Sequence, residues 1–426
     1  MATTFRYSHG SGLPQRLRGW VFVGPMRQGT LALEETVAAL GHPELRYPSI
    51  LVGGTNGKGS TCAFVAAACM DAGLKVGVFL SPALARFSDH MHINDQAPSP
   101  ETLERLSGDI TDAGMAPLTP FEAALLLAVL WFAEESVDIG LFEVGLGGGG
   151  DATAILDPMI SVITSVDLDH TRLLGDSVEA IAKVKAGVAR PGRPLICAAD
   201  REAAAVLRAE AQRIGAVFVP IDPPKNDDWR RFCVGGDARE RRIGPVELSL
   251  IGSHQTNNAN AAVAVLRQLA TAGFAIDPDN IEVGLSSAQL PGRMELLSNL
   301  GPVYFDGAHN PAGAASLAHT LQTLFLKPIC GIWGGYADKD LKGIICAMAP
   351  ALSRLVVVRA PSPRGAAASV LSQTVSVAAP ELSCETALSV EDAVSRLGDR
   401  AVGQPLIIFG SLSLYAEAAA LFEAES

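Results

Sequence analysis

The sequence has no closely paired cysteines, no excess of basic residues and no apolar run long enough to cross a membrane. Its seven cysteines (Cys62, Cys69, Cys197, Cys233, Cys330, Cys346 and Cys384) are scattered, and none forms a C-x-x-C pair. Several lie in apolar runs, so buried free thiols are expected rather than zinc ligands or disulfides. That usage suits a reducing cytoplasm. Acidic residues outnumber basic ones by 45 to 33, for a formal charge of −12. Duplex binding needs a basic face, so nucleic acid is not an expected partner. A local basic pocket for ATP stays open. The longest apolar run, AALLLAVLWFA at 123–133, is bounded by Glu122 and Glu134. It is too short for a bilayer span and predicts a buried helix, so no membrane partner is expected. The opening MATTFRYSHGSGLPQRLRGW has no apolar signal core, and no repeat of solenoid period is visible.

What remains is an ordinary globular composition, 48% apolar, spread over 426 residues. That length exceeds one compact core and predicts two domains, with three possible. Short apolar runs alternate with helical patterns. SILVGG (49–54), KVGVFL (75–80), DIGLFEVG (138–145), MISVITSV (159–166) and RPLICAA (193–199) read as buried strands. Stretches 58–73, 120–135 and 177–190 between them read as helices. The alternation predicts an α/β fold with a mostly parallel sheet covered on both faces. Around 222–250 the rhythm falters, and RRFCV and VELSLIG suggest an antiparallel edge. A long helix follows at about 255–273. The Pro-Gly break in LSSAQLPGRMELL precedes a second α/β series: VYFDGAHNP, ICGIWGGY, RLVVVRA and PLIIFGS. The expected domains are 1–292 and 293–426.

The chemistry gathers at strand ends. LVGGTNGKGST, from Leu51 to Thr61, runs from a strand through glycines into a helix. It misses the standard phosphate-loop spacing, because Val52 stands where the leading glycine belongs and Gly59 follows the lysine. The physics of an anion site is present all the same. Glycines allow close backbone approach, a helix N-terminus aims its N–H groups at the turn, and Lys58 adds a full charge. Ser60 or Thr61 could offer a hydroxyl to magnesium. Glu143, in LFEVGLGGGGDAT, sits among apolar residues and needs a partner, either a metal ion or an ion pair or cap. Asp169 and His170 follow another strand end, where parallel sheets build their sites. Lys185 reads, on its own, as a solvated lysine. In the second half Arg293, Asp306, His309 and Asn310 stand out. An arginine at a domain junction could bridge surface charges or reach a phosphate, and spacing alone leaves that open.

These motifs are collinear with a known pattern. GGTNGKGS (53–60), SPALARF (81–87), Phe121-Glu122, LFEVGLGG (141–148), SVITSVDLDHTRLLGDSVEAIA (161–182), KAGVARPG (185–192), GSHQTNNANAA (252–262), LPGRMELL (290–297), FDGAHNPAGAASL (305–317), IWGGYADKD (332–340) and FGSL (409–412) occur in order. The chain resembles the Mur ligase superfamily, within it the folylpolyglutamate synthase/dihydrofolate synthase branch. The resemblance implies a P-loop-type ATPase domain and a smaller, Rossmann-like C-terminal domain. It implies an ATP-dependent ligase that joins a carboxylic acid to an amino acid, glutamate by resemblance, through an acyl phosphate. It implies ATP contacts by Thr55, Asn56, Gly57, Lys58, Gly59, Ser60 and Thr61, and by Gln255, Asn258, Arg293 and Asp306. Magnesium ligation is implied for Ser60 or Ser81, Glu143 and His170, with Lys185 joining them as a carbamate. Lys58, Glu143, His170, Lys185 and His309 are the implied catalytic set. Small-molecule substrates, a cytoplasmic location and a monomer complete the expectation.

Some positions depart from that pattern. Ser-Pro-His becomes Ser81-Pro82-Ala83, Glu-Arg becomes Asp89-His90, and GGRLDATN becomes GGGGDATA, with Gly149 and Ala154. Val184 replaces a glutamate, and Ala312 replaces a histidine. The changes spare the ATP and metal residues. They leave two further readings beside a divergent folate enzyme: a ligase recruited to another acid, and a nucleotide-binding relative without catalysis.

Overall fold

In the computed structural model the described residues are 13–19, 30–113, 118–224, 228–235, 241–298, 301–398 and 404–423. The signal-free reading of the N-terminus rests partly on residues 1–12, which lie outside them. The chain divides into two compact units. The first extends to Ser249 and includes Gln255–Gln289; the second takes Leu250–His254 and resumes at Leu290.

The first unit is built on a seven-stranded sheet. Its strands are β1 (Ser49–Gly53), β2 (Val76–Phe79), β3 (Met91–Ile93), β4 (Ile139–Glu143), β5 (Ile160–Ile163), β6 (Pro194–Cys197) and β7 (Val217–Pro220). Their order is β3-β2-β4-β1-β5-β6-β7, parallel throughout except for the β2–β3 pair. β1 is buried along its whole length between β4 and β5, so its side chains meet helices on both faces. The apolar run at 123–133 is the middle of helix Pro120–Glu134, with Ala123 to Val129 all fully buried. A capping box starts that helix: the Thr119 hydroxyl accepts the Glu122 N–H, and the Glu122 carboxylate accepts the Thr119 N–H at 2.6 Å. Helix Lys58–Asp71 packs on helix Pro278–Ser287 at Gly284, where a Cβ would lie 2.4 Å from the Ala68 nitrogen.

The RRFCV and VELSLIG segments need correction. β8 (Phe232–Val234) and β9 (Ile243–Val246) do pair antiparallel, but as a separate two-stranded sheet and not as an edge of the main one. The strand also falls earlier than VELSLIG, on IGPV. The second unit has β10 (Glu295–Ser298), β11 (Val303–Asp306), β12 (Ile329–Trp333), β13 (Leu352–Val357), β14 (Ser383–Thr386) and β15 (Leu406–Phe409). Their order is β10-β11-β15-β12-β13-β14, with only β10 antiparallel. Its core includes Trp333 stacked on Phe409 at 6.3 Å between ring centres. Strands β3, β7, β10 and β14 carry little sequence signal because they are short and lie at sheet edges, and β7, β10 and β14 are also half-exposed. Among the described residues no helix is long and apolar enough to cross a membrane.

Gly284 yields a stability test. A methyl group there must push against backbone, so Gly284→Ala is expected to cost about 1–3 kcal/mol. A lowered urea midpoint would report it.

Candidate active site

The strand order assembles the site. β2, β4, β1 and β5 are neighbours, and all four run in the same direction. Their C-terminal ends therefore bring together Ser81, Glu143, the 53–58 loop and the 164–170 segment. The loop after β1 turns through Gly54 (φ +145°) and Gly57 (φ +85°), angles that L side chains rarely adopt. Neither position has room for one. A Cβ on Gly54 would meet the Thr164 hydroxyl at 2.0 Å, and one on Gly57 would meet Asn258 Oδ1 at 2.1 Å.

Thr164, Ser165 and Asp167, after β5, hold this loop. The Thr164 hydroxyl donates to the Asn56 carbonyl at 2.6 Å. The Ser165 carbonyl accepts the Thr55 N–H at 2.8 Å, and its hydroxyl accepts the Asn56 N–H at 3.0 Å. Asp167 donates its N–H to the Thr55 hydroxyl and accepts the Asn56 side-chain amide at 3.4 Å. These three residues escaped the sequence reading. Only the adjacency of β1 and β5 gives the hydroxyls of SVITSVD their meaning.

Helix Lys58–Asp71 begins at the loop, with Gly59, Ser60 and Thr61 in its first turn. Lys58 Nζ donates to the Gly54 carbonyl at 3.3 Å and the Thr55 carbonyl at 3.1 Å. It also lies 3.8 Å from Glu143 Oε1. The other oxygen of Glu143 accepts the Ser81 N–H at 3.2 Å. The partner that the buried Glu143 required is therefore an ion pair plus a backbone donor. Lys185, far from solvated, is 3% exposed. Its amine donates to the same Gly54 carbonyl at 2.7 Å. Burial and the Lys58 charge lower its pKa from 10.5 to about 7, against the smaller pull of Asp169, Asp167 and Asp151. His170, at φ 49°, follows Asp169, whose carboxylate accepts the His170 backbone N–H at 2.7 Å and lies 4.0 Å from the ring Nε2.

Gln255 and Asn258 are buried in the first turn or two of helix His254–Thr271, joined by an amide hydrogen bond of 2.8 Å. The Asn258 carbonyl also faces the Thr61 hydroxyl at 3.5 Å. In the second unit, Asp306 ends β11. Its carboxylate accepts the N–H groups of Met294 (3.0 Å) and Ala308 (2.8 Å). Burial raises its pKa, while the Arg293 charge and those two N–H groups oppose the rise. His309 Nδ1 bonds to the Gly307 carbonyl at 2.9 Å, and Asn310 caps helix Pro311–Leu324. Arg293, Asp306 and His309 thus form one group on the second unit.

The donors suit magnesium. Among the described residues no three His, Cys, Asp or Glu side chains cluster as a metal cage. Magnesium does not ask for one, since it binds through one or two carboxylates, hydroxyls, waters and substrate phosphates. Buried Glu143 between Lys58 and the Ser81 amide, with the Ser60 hydroxyl on the adjoining helix turn, is such a set.

Lys185 gives a pH test. The folded state resists protonating this amine, so its penalty on stability is full below pH about 7 and fades as pH rises toward 10.5. Replacing it by Met is expected to stabilise the fold most below that lower value. The advantage should shrink with rising pH in paired urea titrations.

Family models match both units: the Mur ligase middle domain over residues 52–266, and the Mur ligase glutamate ligase domain over 292–412. A dihydrofolate synthase/folylpolyglutamate synthase of Bacillus subtilis (strain 168) is 34% identical over 338 residues, covering 75% of this chain and 78% of its own. Its counterpart in Escherichia coli (strain K12) is also 34% identical, covering 75% of each chain. Among solved structures, E. coli FolC in complex with DHPP and ADP superposes with a TM-score of 0.85 at 28% identity, covering 97% of this chain and 99% of that one. A bifunctional folylpolyglutamate synthase/dihydrofolate synthase bound to Mn, AMPPNP and L-glutamate gives 0.81 at 27%, covering 93% and 95%. The chain belongs to the Mur ligase family, in its folylpolyglutamate/dihydrofolate synthase branch of ATP-dependent ligases.

Proposed function

We propose that this enzyme joins a folate-type acid, dihydropteroate or a tetrahydrofolate, to L-glutamate at the cost of ATP. The observation that carries the reading is the convergence of Lys58 and Lys185 on the Gly54 carbonyl, beside Glu143. A carboxylate does not acylate an amine at neutral pH, because its leaving group is poor. In the proposed reaction the acid's carboxylate oxygen attacks the γ-phosphorus of ATP, and ADP leaves. The glutamate nitrogen then attacks the acyl phosphate carbon, loses a proton, and inorganic phosphate departs.

The loop from Thr55 to Thr61 would cradle the phosphates with its N–H groups, and Lys58 would neutralise their charge. Gln255 and Asn258 would contact the nucleotide. Arg293, Asp306 and His309 would serve ATP or the incoming amino acid. Ser60, Ser81, Glu143, His170 and carbamylated Lys185 would hold magnesium, which supplies positive charge to the transferring phosphoryl group. An amine with a pKa of about 7 supports the carbamate. A sizeable share of it is neutral near pH 7, so its lone pair can attack the carbon of CO2 and release a proton, turning a cation into an anionic ligand. In this reading residues 1–292 form the ATP-binding domain and 293–426 the C-terminal domain of a cytoplasmic monomer. Free thiols at all seven cysteines support a reducing compartment.

The test is phosphate release from ATP with magnesium across a grid of acids and amino acids, with products identified by mass. Turnover is expected with dihydropteroate or tetrahydrofolate plus glutamate. Lys58→Ala and Glu143→Ala are expected to lower it by roughly 10²–10³, the scale for loss of one charge-stabilising group. Turnover with other acids alone would overturn the folate assignment. It would favour a recruited ligase, a reading that the small residues Ala83, Gly149 and Ala154 support. ATP binding without turnover on any acid would favour the non-catalytic relative.

The carbamate has its own check. Carbon-13 bicarbonate should give a carbamate resonance in the wild type. Lys185→Arg should abolish it.

A further inference from the structure

The Asp89-His90 pair stands where the family pattern carries Glu-Arg, and its contacts show what replaces that pattern. One oxygen of Asp89 accepts the N–H groups of Ala85 at 2.9 Å and Arg86 at 2.7 Å; the other faces Arg86 Nε at 3.3 Å. A single carboxylate thus closes the turn at 85–89. His90 does the same for the other end of the loop. Its backbone carbonyl accepts the Leu80 N–H at 2.8 Å, and its ring Nδ1 bonds to the Leu80 carbonyl at 2.7 Å. A carbonyl can only accept, so Nδ1 carries the proton. Both polar groups of the Leu80 backbone are therefore held by one residue.

The ring cannot swing away. It lies nearly parallel to Phe79 at 5.8 Å and edge-on to Phe87 at 5.9 Å, and it is buried. Burial also lowers its pKa, against the opposing pull of the Leu80 bond. The residue after Leu80 is Ser81, whose N–H donates to Glu143 at 3.2 Å, and Glu143 faces Lys58 at 3.8 Å. A line of contacts runs from the His90 ring to Leu80, Ser81 and Glu143.

We propose that Asp89 and His90 are positioning residues, a brace that sets the Ser81 backbone and, through it, the Glu143 carboxylate for metal binding. This rests on the proposed reading of Ser81 and Glu143 as metal-side groups. The brace acts through the Ser81 backbone and the Glu143 carboxylate. It replaces the long Glu-Arg pair with two short side chains that bond to nearby backbone.

The experiment measures Mn2+ binding with ADP present, by the electron paramagnetic resonance signal of the free ion. It compares the wild type with Glu143→Ala, His90→Leu, His90→Asn and His90→Gln, with thermal unfolding in parallel. An asparagine N–H falls near the position of Nδ1–H and can restore the Leu80 bond, whereas a glutamine reaches past it. Glu143→Ala is expected to weaken Mn2+ strongly. His90→Leu and His90→Gln are expected to weaken it about tenfold or more, as loss of support behind a metal ligand does. His90→Asn should bind nearly as the wild type does. Weak binding by Glu143→Ala with unchanged binding by the Leu and Gln variants would overturn the brace and leave the site reading standing. Unchanged binding by Glu143→Ala would overturn the site reading, and the brace with it. If His90→Leu does not fold, the Asn and Gln pair decides: equal binding by the two overturns the inference.

Discussion

Two lysine amines converge on one carbonyl oxygen, that of Gly54. Burial disfavours a charged amine there, the neighbouring cation adds to the penalty, and the cheapest relief is to give up a proton. Lys185, the more buried, yields, and its pKa falls to about 7. Lys58 has Glu143 beside it, 3.8 Å away, as an ion-pair partner. Burial, together with the nearby Lys58 charge, thus sets the Lys185 amine apart from an ordinary lysine. In the proposed reading that difference would let Lys58 meet phosphate and Lys185 meet CO2.

The shared carbonyl can only do this if the loop is rigid. Gly54 and Gly57 turn through angles that would not hold their shape unaided. Rigidity comes from Thr164, Ser165 and Asp167, whose hydrogen bonds fasten the Thr55 and Asn56 backbone and side chains to the next strand. The Asn258 side chain presses on Gly57 from another helix. The loop amides are therefore set in direction, so in the proposed phosphate-binding role little ordering would remain to be done on binding.

Much of this was legible in the residues themselves. Fully buried strands such as Ser49–Gly53 and Ile139–Glu143 lie in largely apolar runs, and the apolar run at 123–133 marks a buried helix. Glu143 was legible as a carboxylate in need of a partner, because burial makes that demand whatever the fold. Lys185 was not. Its own helix reads as amphipathic and solvated, and only the placement of that helix buries it. The clamp after β5 was equally hidden, since its hydroxyls act on a loop more than a hundred residues earlier in the chain. β8 and β9 misled for a simpler reason. Local pattern can specify a hairpin, but it says nothing about which sheet the hairpin joins.

Three of the departures from the family pattern fall outside the rigid parts. Groups at the ends of β1, β4 and β5 serve one another, so a change at Thr164, Glu143 or Lys185 would disturb several contacts at once. Ala83, Gly149 and Ala154 lie outside those strands, in segments whose backbone is fixed by local bonds such as those of Asp89 and Asp151. A side chain can be lost there without loosening the phosphate loop. Connecting segments on a rigid scaffold are where specificity can drift cheaply. In the proposed reading the sheet would therefore constrain phosphoryl transfer tightly and the choice of acid only weakly.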